Sequence, residues 1–331
     1  MTKAVITGIT GQDGSYLAEV LLQKGYEVHG IVRRASLIQR PRLDHLTGDV
    51  AVYNQRLFLH YCDLDDVTTL RRLLLSIQPT ELYHLAGQSH VGLSFEIPES
   101  TCQFTAMGTL QILEIMRDLP TPPRFLNVGS SELFGNAAHS PQDEDTPFRP
   151  ITPYGVAKAF AVDMVRVYRE AFGLFCVNAI CYNHESPRRG ESFVTRKITK
   201  AAARIATEGG PKLHLGAISA TRDWGYAPEY VEAMWRMMNA DTPQDLVLAT
   251  GVSTSVGAFL AHAFAHVGLD WQDHVEVDER FLRPADAAAL VGNASRAAAA
   301  IGWRAQTDVG ALARLMVDAD LSADRAVCDN S

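Results

Sequence analysis

The stretch TGITGQDG, residues 7–14, decides the fold, because glycines stand at every third position directly behind the short apolar run KAVI. Glycine weakens a helix or strand by roughly 0.5–1 kcal/mol relative to alanine, so three glycines where a strand should become a helix indicate a steric requirement. Gly8 would permit a tight turn, Gly11 would let a diphosphate approach, and Gly14 would allow close packing of the next helix. The phosphates would then meet N–H groups at the helix N-terminus.

The segment after the turn has the pattern of a helix. SYLAEVLLQKG (15–25) carries apolar residues at helical spacing and ends in a glycine, which is a C-cap signal. If this helix opens at Ser15, then Thr10, Gln12 and Asp13 lie in the turn. These three residues join the glycines as candidate ligand contacts.

Short β-rich runs alternate with helical patterns through the first half of the chain. This alternation predicts an α/β fold, a doubly wound parallel sheet of the Rossmann type with helices on both faces. The runs are KAVIT (3–7), YEVHGIV (26–32), RLFLHY (56–61), ELYHL (81–85), RFLNVG (124–129) and FCVNAI (175–180).

The regular alternation fades after about residue 185, although DLVLAT (245–250) is typical of one more strand, and the tail 292–321 is mostly helical in pattern. We therefore expect a smaller, mostly helical second domain interwoven with the first. The predicted boundaries are 1–182, with about 222–255 returning, for the first domain, and 183–221 with 256–331 for the second.

Composition excludes several classes of protein. With 331 residues and 47% hydrophobic composition the chain can bury a large core, and a formal net charge of -8 argues against a nucleic-acid binder. No apolar run approaches the roughly 20 residues that span a bilayer, and the first residues do not resemble a signal peptide, so we expect a cytoplasmic location. Five cysteines without a C-x-x-C pair predict reduced thiols and no metal site.

The residues after the second predicted strand bear on the choice of dinucleotide. Arg33 and Arg34, with Ser36 close by, stand where an NAD-specific protein usually carries an acid for the ribose 2′-hydroxyl. Arginine at this place suits a 2′-phosphate, so the pattern predicts NADP.

Loops after the third and fourth predicted strands are further candidates for cofactor contact. In a sheet of this kind, these strand ends face the adenine and the middle of the dinucleotide. The candidates are Asp63, Leu64, Leu85, Ala86, Gln88 and Ser89.

A Y-x-x-x-K motif in TPYGVAKAF indicates hydride-transfer chemistry. Tyr154 and Lys158 are four residues apart, which on a helix places them on one face. A phenol with a pKa near 10 must act as a base around neutral pH, and a nearby ammonium together with an oxidised nicotinamide would favour the phenolate. The lysine can also hold ribose hydroxyls.

NVGSSELFG (127–135) places Ser130 and Glu132 just beyond the fifth predicted strand, at the carboxyl edge of the sheet where such folds bind ligands. Hydride transfer by a tyrosine and a serine needs no carboxylate. Glu132 therefore indicates a second proton transfer, such as the removal of a carbon-bound proton. The alternative is a carboxylate that stabilises a helix dipole.

With these motifs the chain resembles the GDP-mannose 4,6-dehydratases, within the extended short-chain dehydrogenase/reductase family, from residue 3 to about 321. The segments that carry the resemblance are TGITGQDGSYLAE, LAGQSHVGLSF, SSELFG, TPYGVAK, NHESPRRGESFVTRKI (183–198) and RDWGYAPEYVEAMW (222–235). The resemblance implies an NADP-binding Rossmann domain, a smaller GDP-sugar domain and a homodimer or homotetramer. It also implies oxidation at sugar carbon 4, loss of water across carbons 5 and 6, and hydride return to carbon 6.

The resemblance also implies roles for single residues. Tyr154 matches the base at the 4-hydroxyl, Lys158 the cofactor-positioning lysine, and Glu132 the carboxylate that handles the carbon 5 proton and the leaving hydroxyl. Ser130 replaces a threonine. His184 and Arg189 match positions that contact NADP, and the positions around the GDP-sugar are Ser89, Ser130, Glu132, Asn183, Val194, Lys197, Leu215, Gly216, Arg222 and Arg283.

Some departures and alternatives stay open. Ser100, Gly92 and Ala106 differ from common family residues, and some relatives act on GDP-heptoses. A reductase or epimerase of a GDP-4-keto sugar would keep Tyr154 and Lys158 without needing Glu132. An NADP-sensing protein without turnover would typically lack one of that pair.

The loop 33–46 corresponds to one that reaches a neighbouring subunit's cofactor site in tetrameric family members, so we expect a homo-oligomer.

Overall fold

The computed structural model describes residues 1–34, 40–281 and 290–328, with side chains described as far as residue 323. Ser36 and Arg283, two of the predicted site residues, lie outside this part of the chain. The strands are β1 Lys3–Thr7, β2 Glu27–Val32, β3 Leu57–Tyr61, β4 Glu81–His84, β5 Arg124–Ser130, β6 Cys176–Cys181, β7 Asn183–Glu185, β8 Leu213–Leu215, β9 Thr221–Arg222, β10 Trp224–Tyr226, β11 Leu246–Leu248, β12 Thr254–Ser255 and β13 Val275–Val277.

In the described residues, seven of these strands form one parallel sheet in the order β11-β6-β5-β4-β1-β2-β3. The six strands predicted from the first half of the chain are confirmed, and so is the additional strand within residues 245–250. The chain runs outward from β1 in one direction and from β4 in the other. The junction of β1 and β4 is therefore a switch point, where open α/β sheets bind ligands beyond the strands' carboxyl ends.

Helices cover both faces of this sheet. One face buries apolar residues of α1 and α8, and the other buries residues of α3, α5 and α6. The predicted doubly wound α/β architecture is confirmed. The helices are α1 Gln12–Gln23, α2 Asp44–Thr47, α3 Val67–Ile77, α4 Pro98–Cys102, α5 Gly108–Arg117, α6 Pro153–Phe172, α7 Val194–Glu208, α8 Ala227–Met238, α9 Val256–His266, α10 Trp271–His274, α11 Ser295–Ile301 and α12 Val309–Cys328, and a π-helical turn, Gln103–Met107, precedes α5.

The first helix begins earlier than its sequence pattern indicates. It opens at Gln12 rather than at Ser15, with Gly11 in extended conformation as its cap. The apolar spacing that predicted the helix starts only after the polar first turn, so the pattern could not mark this boundary. Gly14 consequently lies inside the first turn.

A separate apolar cluster lies in the second half of the chain. It is built from α7, α9 and α12, whose contacts bury side chains such as Ile198, Phe259 and Met316. The tail from residue 292 is mostly helical, as predicted, since α11 and α12 occupy most of it. The exact division into two domains stays a prediction. None of the described helices is long and apolar enough to cross a membrane.

Candidate active site

The glycine turn after β1 has the geometry that its sequence predicts. Gly8 has a φ of +74°, and a Cβ at this position would lie 2.8 Å from the backbone nitrogen of Ala86. A Cβ at Gly14 would lie 2.3 Å from the Gly8 carbonyl oxygen, so the helix start packs directly on the turn. Both glycines are therefore required by backbone packing.

Gly11 has a different role from the other two glycines. A Cβ placed there would lie 3.1 Å from the Gly8 carbonyl oxygen and, apart from its chain neighbours, near no other atom of the described residues. Gly11 also caps α1 without any side-chain hydrogen bond. The open side of the turn and the first N–H groups of α1 fit a diphosphate, the group for which these features were predicted.

The residues predicted to recognise the ribose phosphate lie beside this turn. Arg33 and Arg34 follow β2 directly and are exposed. Arg42, which the sequence analysis did not single out, reaches back to the turn: its guanidinium donates to the carbonyl oxygens of Arg188 at 2.7 Å and Thr10 at 3.4 Å. Arg42 thus connects the chain after residue 40 to the glycine turn.

The start of α6 fixes the position of Tyr154. Thr152 caps the helix by accepting a hydrogen bond from Gly155 N at 2.9 Å, and Pro153 occupies the first turn. A Cβ at Gly155 would lie 2.6 Å from the Glu132 carbonyl oxygen. Glycine at this position therefore lets the helix carrying Tyr154 pack closely on the turn that carries Glu132.

Tyr154 and Lys158 lie in α6, as their spacing predicts, and both are buried. The Lys158 ammonium donates to the Val128 carbonyl oxygen at 2.7 Å and lies 5.9 Å from the centre of the Tyr154 ring. Burial raises the pKa of Tyr154 to about 12 and lowers the pKa of Lys158 to about 8. In the protein without cofactor, burial therefore favours the neutral phenol. That the lysine together with an oxidised nicotinamide favours the phenolate stays a prediction.

Ser130 and Glu132 flank the end of β5. The Ser130 side chain accepts from Glu132 N at 3.3 Å and caps the short turn Ser131–Leu133. A hydrogen bond from Ser130 opposes the burial that raises the pKa of Tyr154, whereas the charge of Glu132 adds to it. The turn is only three residues long, so its dipole is small. This weakens the alternative in which the buried Glu132 serves only to stabilise a helix dipole.

The side chains of Gln12, Asp13 and His184 bond to one another and to Ser186. His184 Nε2 lies 2.8 Å from Asp13 Oδ2, and Gln12 Nε2 donates to Asp13 Oδ1 at 2.9 Å. The Gln12 amide also donates to the His184 carbonyl oxygen and accepts from the Ser186 hydroxyl. That Gln12, Asp13 and His184 contact a cofactor stays a prediction.

The other predicted cofactor residues lie at the same edge of the sheet. Gln88 folds onto its own loop, because its amide donates to the His90 carbonyl oxygen at 2.9 Å. Arg189 stacks on Phe193, with 3.7 Å between the guanidinium carbon and the ring centre. Leu85, Ala86, Gln88 and Ser89 follow β4, which places them beside the switch point, and Asp63 and Leu64 follow β3, the outer strand two places beyond β1.

Apart from Ser89, Ser130 and Glu132, the described residues predicted to contact the sugar nucleotide lie on elements of the second half of the chain. Val194 and Lys197 are in the first turn of α7, which packs against β8, and Leu215 ends β8. Arg222 is largely buried in β9 and donates to the Thr221 carbonyl oxygen at 2.7 Å. Asn183 opens β7, and Gly216 directly follows β8.

Sequence reasoning missed Ser94, which supports Tyr154, and His84, which bonds to Thr7 at the end of β1. The Ser94 hydroxyl accepts from Tyr154 N at 3.3 Å, and buried His84 lies 2.8 Å from the Thr7 hydroxyl. The T-P pair before Tyr154 was a readable capping signal. Ser94 and His84 carried no local signal, because their partners are distant in sequence.

The parallel sheet, the glycine turn and the Tyr154–Lys158 helix define a protein of the short-chain dehydrogenase/reductase class. A family model described as GDP-mannose 4,6 dehydratase matches residues 5–316. The chain belongs to this GDP-mannose 4,6-dehydratase family.

Two relatives and one solved structure illustrate the similarity. The chain is 50% identical to GDP-mannose 4,6 dehydratase 1 of Arabidopsis thaliana, over 96% of this chain and 89% of that protein. It is 47% identical to the GDP-mannose 4,6-dehydratase of Sinorhizobium fredii, over 96% of each chain. The structure of DesIV, a dTDP-glucose 4,6-dehydratase from Streptomyces venezuelae with NAD and TYD bound, superposes with a TM-score of 0.84 at 19% identity, over 98% of each chain.

Proposed function

We propose that the protein is a hydro-lyase that converts GDP-D-mannose to GDP-4-keto-6-deoxy-D-mannose and water, using NADP that is regenerated in each cycle. The observation that carries the proposal is the buried Glu132 carboxylate next to Tyr154, on a turn held by Ser130. A reductase would need the tyrosine and the lysine but not this carboxylate. Family membership and the close relatives support the same reaction.

The chain's own residues divide the proton transfers. The Tyr154 phenolate takes the proton of the 4-hydroxyl, while the Ser130 hydroxyl hydrogen-bonds to the 4-oxygen. Glu132 then removes the carbon 5 proton and delivers it to the hydroxyl that leaves carbon 6 as water, and the proton held by Tyr154 is released to carbon 5 when hydride is added at carbon 6. When bound, NADP would supply the hydride acceptor for carbon 4 and the hydride donor for carbon 6, and its oxidised nicotinamide would supply the positive charge that favours the Tyr154 phenolate.

The choice of NADP rests on the two exposed arginines after β2. Arg33 and Arg34 offer charge-assisted hydrogen bonds to a ribose 2′-phosphate, and no acid follows β2 directly. The glycine turn would hold the diphosphate, and Lys158 would hold the nicotinamide ribose. Because the glycine turn follows β1 and Lys158 bonds to β5, on the other side of β4, the dinucleotide would cross the carboxyl edge of the sheet at the switch point between β1 and β4.

The GDP-sugar would bind across the gap between the sheet edge and the second half of the chain. Lys197 and Arg222 supply cationic groups for its diphosphate, the preferred partners of phosphate oxygens. Asn183, Val194, Leu215 and Gly216 would line the same site.

The test is incubation of the purified protein with GDP-mannose and, in parallel, with a GDP-heptose, followed by mass analysis of the sugar nucleotide. The proposal expects GDP-mannose to lose one water without net consumption of NADP. Loss of water from the heptose alone would redirect the substrate assignment. Reduction or epimerisation without loss of water would contradict the reaction itself.

We further propose that the protein is a homo-oligomer, as the sequence predicted, and that α6 lies at an interface. Val156, Phe160 and Val167 share one face of α6, and each is at least 38% exposed. Light scattering at micromolar concentration should give at least a dimer mass, reduced by Phe160→Glu but not by Val50→Glu on an exposed turn. A monomer mass for the unmodified protein would refute the proposal. The cytoplasmic location stays a prediction.

A further inference from the structure

The imidazole of His184 lies between two hydrogen-bond acceptors. Its Nδ1 is 2.7 Å from the Tyr182 carbonyl oxygen, and its Nε2 is 2.8 Å from Asp13 Oδ2. A carbonyl oxygen cannot donate, and an ionised carboxylate cannot donate either. Both ring nitrogens must therefore carry hydrogen, which makes His184 an imidazolium and the Asp13–His184 contact a partly buried ion pair.

The position of Asp13 explains why this charge matters. Asp13 is the second residue of α1, whose first turn follows Gly11, the open glycine that faces the proposed diphosphate site. A lone carboxylate favours a helix N-terminus, but it repels an anionic ligand that binds at the same place. The imidazolium removes this conflict, because it neutralises the carboxylate and accounts for the oxygen that the Gln12 amide does not bind.

His184 is itself held firmly by its surroundings. Its ring stacks on Tyr230 of α8 with 4.8 Å between ring centres and 16° between planes. Next to it, Ser186 donates to Gln12 at 2.7 Å, and the Arg188 guanidinium donates to Ser15 at 3.1 Å and to Glu19. The segment after β6 is thus fastened to the first two turns of α1, with the Asp13–His184 pair at its centre.

We propose that His184 is a positioning residue for cofactor binding: as an imidazolium it neutralises Asp13 and holds the first turn of α1 in the shape that receives the cofactor diphosphate. The proposal rests on the dinucleotide site proposed above. In this proposal the His184 ring does not contact the cofactor directly, because both ring nitrogens already bond to protein groups.

The charges around the pair determine how it responds to pH. Burial alone would lower the pKa of His184, but Asp13 outweighs burial and the nearby Arg189, and the pKa is raised. Asp13 in turn has a lowered pKa despite its burial, because of His184, Gln12 and Arg189. Lys158 and Cys181 also face Asp13. The ion pair therefore persists at neutral pH, and rising pH breaks it at the imidazolium.

The first experiment determines the protonation state directly. Nitrogen-15 NMR of histidine-labelled wild-type protein distinguishes an imidazolium from either neutral tautomer, and His184→Gln assigns the signal. The proposal expects the His184 signal to remain that of an imidazolium at pH 7 and to titrate above the ordinary pKa of about 6.5. A neutral ring at pH 7 would overturn it, and this reading of the wild-type protein remains valid if a variant folds poorly.

The second experiment measures NADP affinity by calorimetry between pH 6 and 9, without sugar nucleotide. Wild-type affinity should fall as pH rises through the pKa of His184. His184→Gln should weaken binding on the order of tenfold at pH 7, the effect of one lost charge-assisted contact, and should remove this part of the pH dependence. Asp13→Asn combined with His184→Gln should recover most of the affinity, because no lone buried carboxylate remains.

The control is His266→Gln, which removes a histidine–carboxylate pair of similar geometry, 2.6 Å to Asp318, between α9 and α12. It should leave NADP affinity and its pH profile unchanged. Unaltered NADP binding by His184→Gln, or a double variant as weak as the single one, would refute the proposal. Neither experiment uses the sugar nucleotide, so failure to dehydrate GDP-mannose would count against the proposed reaction alone.

Discussion

On the β4–β5–α6 side of the candidate active site, burial favours the uncharged form of three ionisable side chains, whereas on the α1–β7 side buried His184 and partly buried Asp13 form an ion pair. Burial raises the pKa of Tyr154 to about 12, lowers that of Lys158 to about 8 and lowers that of His84 to about 3. His184 is equally buried, yet its pKa is raised, because Asp13 faces it.

The two histidines show what decides the charge at each place. His84 has the Thr7 hydroxyl as its partner and the Lys158 charge nearby, so neither group stabilises a protonated, positively charged ring. His184 has a carboxylate within hydrogen-bond distance. Partner chemistry, rather than burial, therefore distinguishes the β4–β5–α6 side, here called the reaction side, where Tyr154, Lys158 and His84 favour their neutral forms, from the α1–β7 side, here called the binding side, where Asp13 and His184 are both charged at neutral pH.

The largest effect is expected from Tyr154→Phe, which removes the phenol from the reaction side. Loss of a general base costs about 10²–10⁴-fold in rate, and no reduced cofactor should form because the first oxidation fails. Stopped-flow absorbance of reduced NADP after addition of GDP-mannose measures this. NADP affinity should be nearly unchanged. Substantial cofactor reduction by the variant would show that another group takes the 4-hydroxyl proton.

A smaller effect is expected on the binding side from Arg34→Ala. Removing charge-assisted contacts to the 2′-phosphate should weaken NADP binding by about 1–3 kcal/mol and leave NAD binding almost unchanged. Calorimetry with both cofactors measures the difference. Arg71→Ala, which removes a surface arginine paired with Asp118, is the matched control. Equal affinity of the unmodified protein for NADP and NAD would contradict the assignment.

The smallest effect is expected from removing a helix N-cap. The comparison is between the cap of the helix that carries Tyr154 and the cap of a helix that carries no site residue. Thr152→Ala and Asp66→Ala each remove an N-cap and should lower the free energy of unfolding by about 1 kcal/mol. Only Thr152 caps the helix that carries Tyr154, so only its loss should also reduce kcat. Denaturant melts and steady-state kinetics test this. Equal kcat for both variants would remove the link between the cap and the site.

Much of the reaction side could be predicted from sequence, because its signals are local. The apolar runs, the glycine spacing and the Tyr154–Lys158 interval each report on neighbours within a few residues, and the structure confirms the elements that they predicted. The family resemblance supplied roles that spacing alone leaves open, such as that of Glu132.

The binding side could be predicted only in part, because its contacts join distant residues. Asp13 and His184 are 171 positions apart, so no periodicity relates them. The start of α1 was misplaced for a related reason: its first turn is polar and is held by side chains from beyond β6. Strands of two or three residues, such as β9 and β10, are too short for alternation to show.

The central claim, that Glu132 carries out the elimination, is tested most directly by Glu132→Gln. An amide can occupy the same space but cannot remove the carbon 5 proton, so dehydration should fall about 10²–10⁴-fold while Tyr154 still permits oxidation. The matched control is Glu81→Gln, which alters a buried carboxylate at the opposite end of β4.

The measurement is the absorbance of reduced NADP, followed with the mass of the sugar nucleotide, after GDP-mannose is added to Glu132→Gln. The account predicts a stalled reaction, in which bound cofactor becomes reduced and stays reduced while no dehydrated product forms. Near-normal dehydration by Glu132→Gln would contradict it.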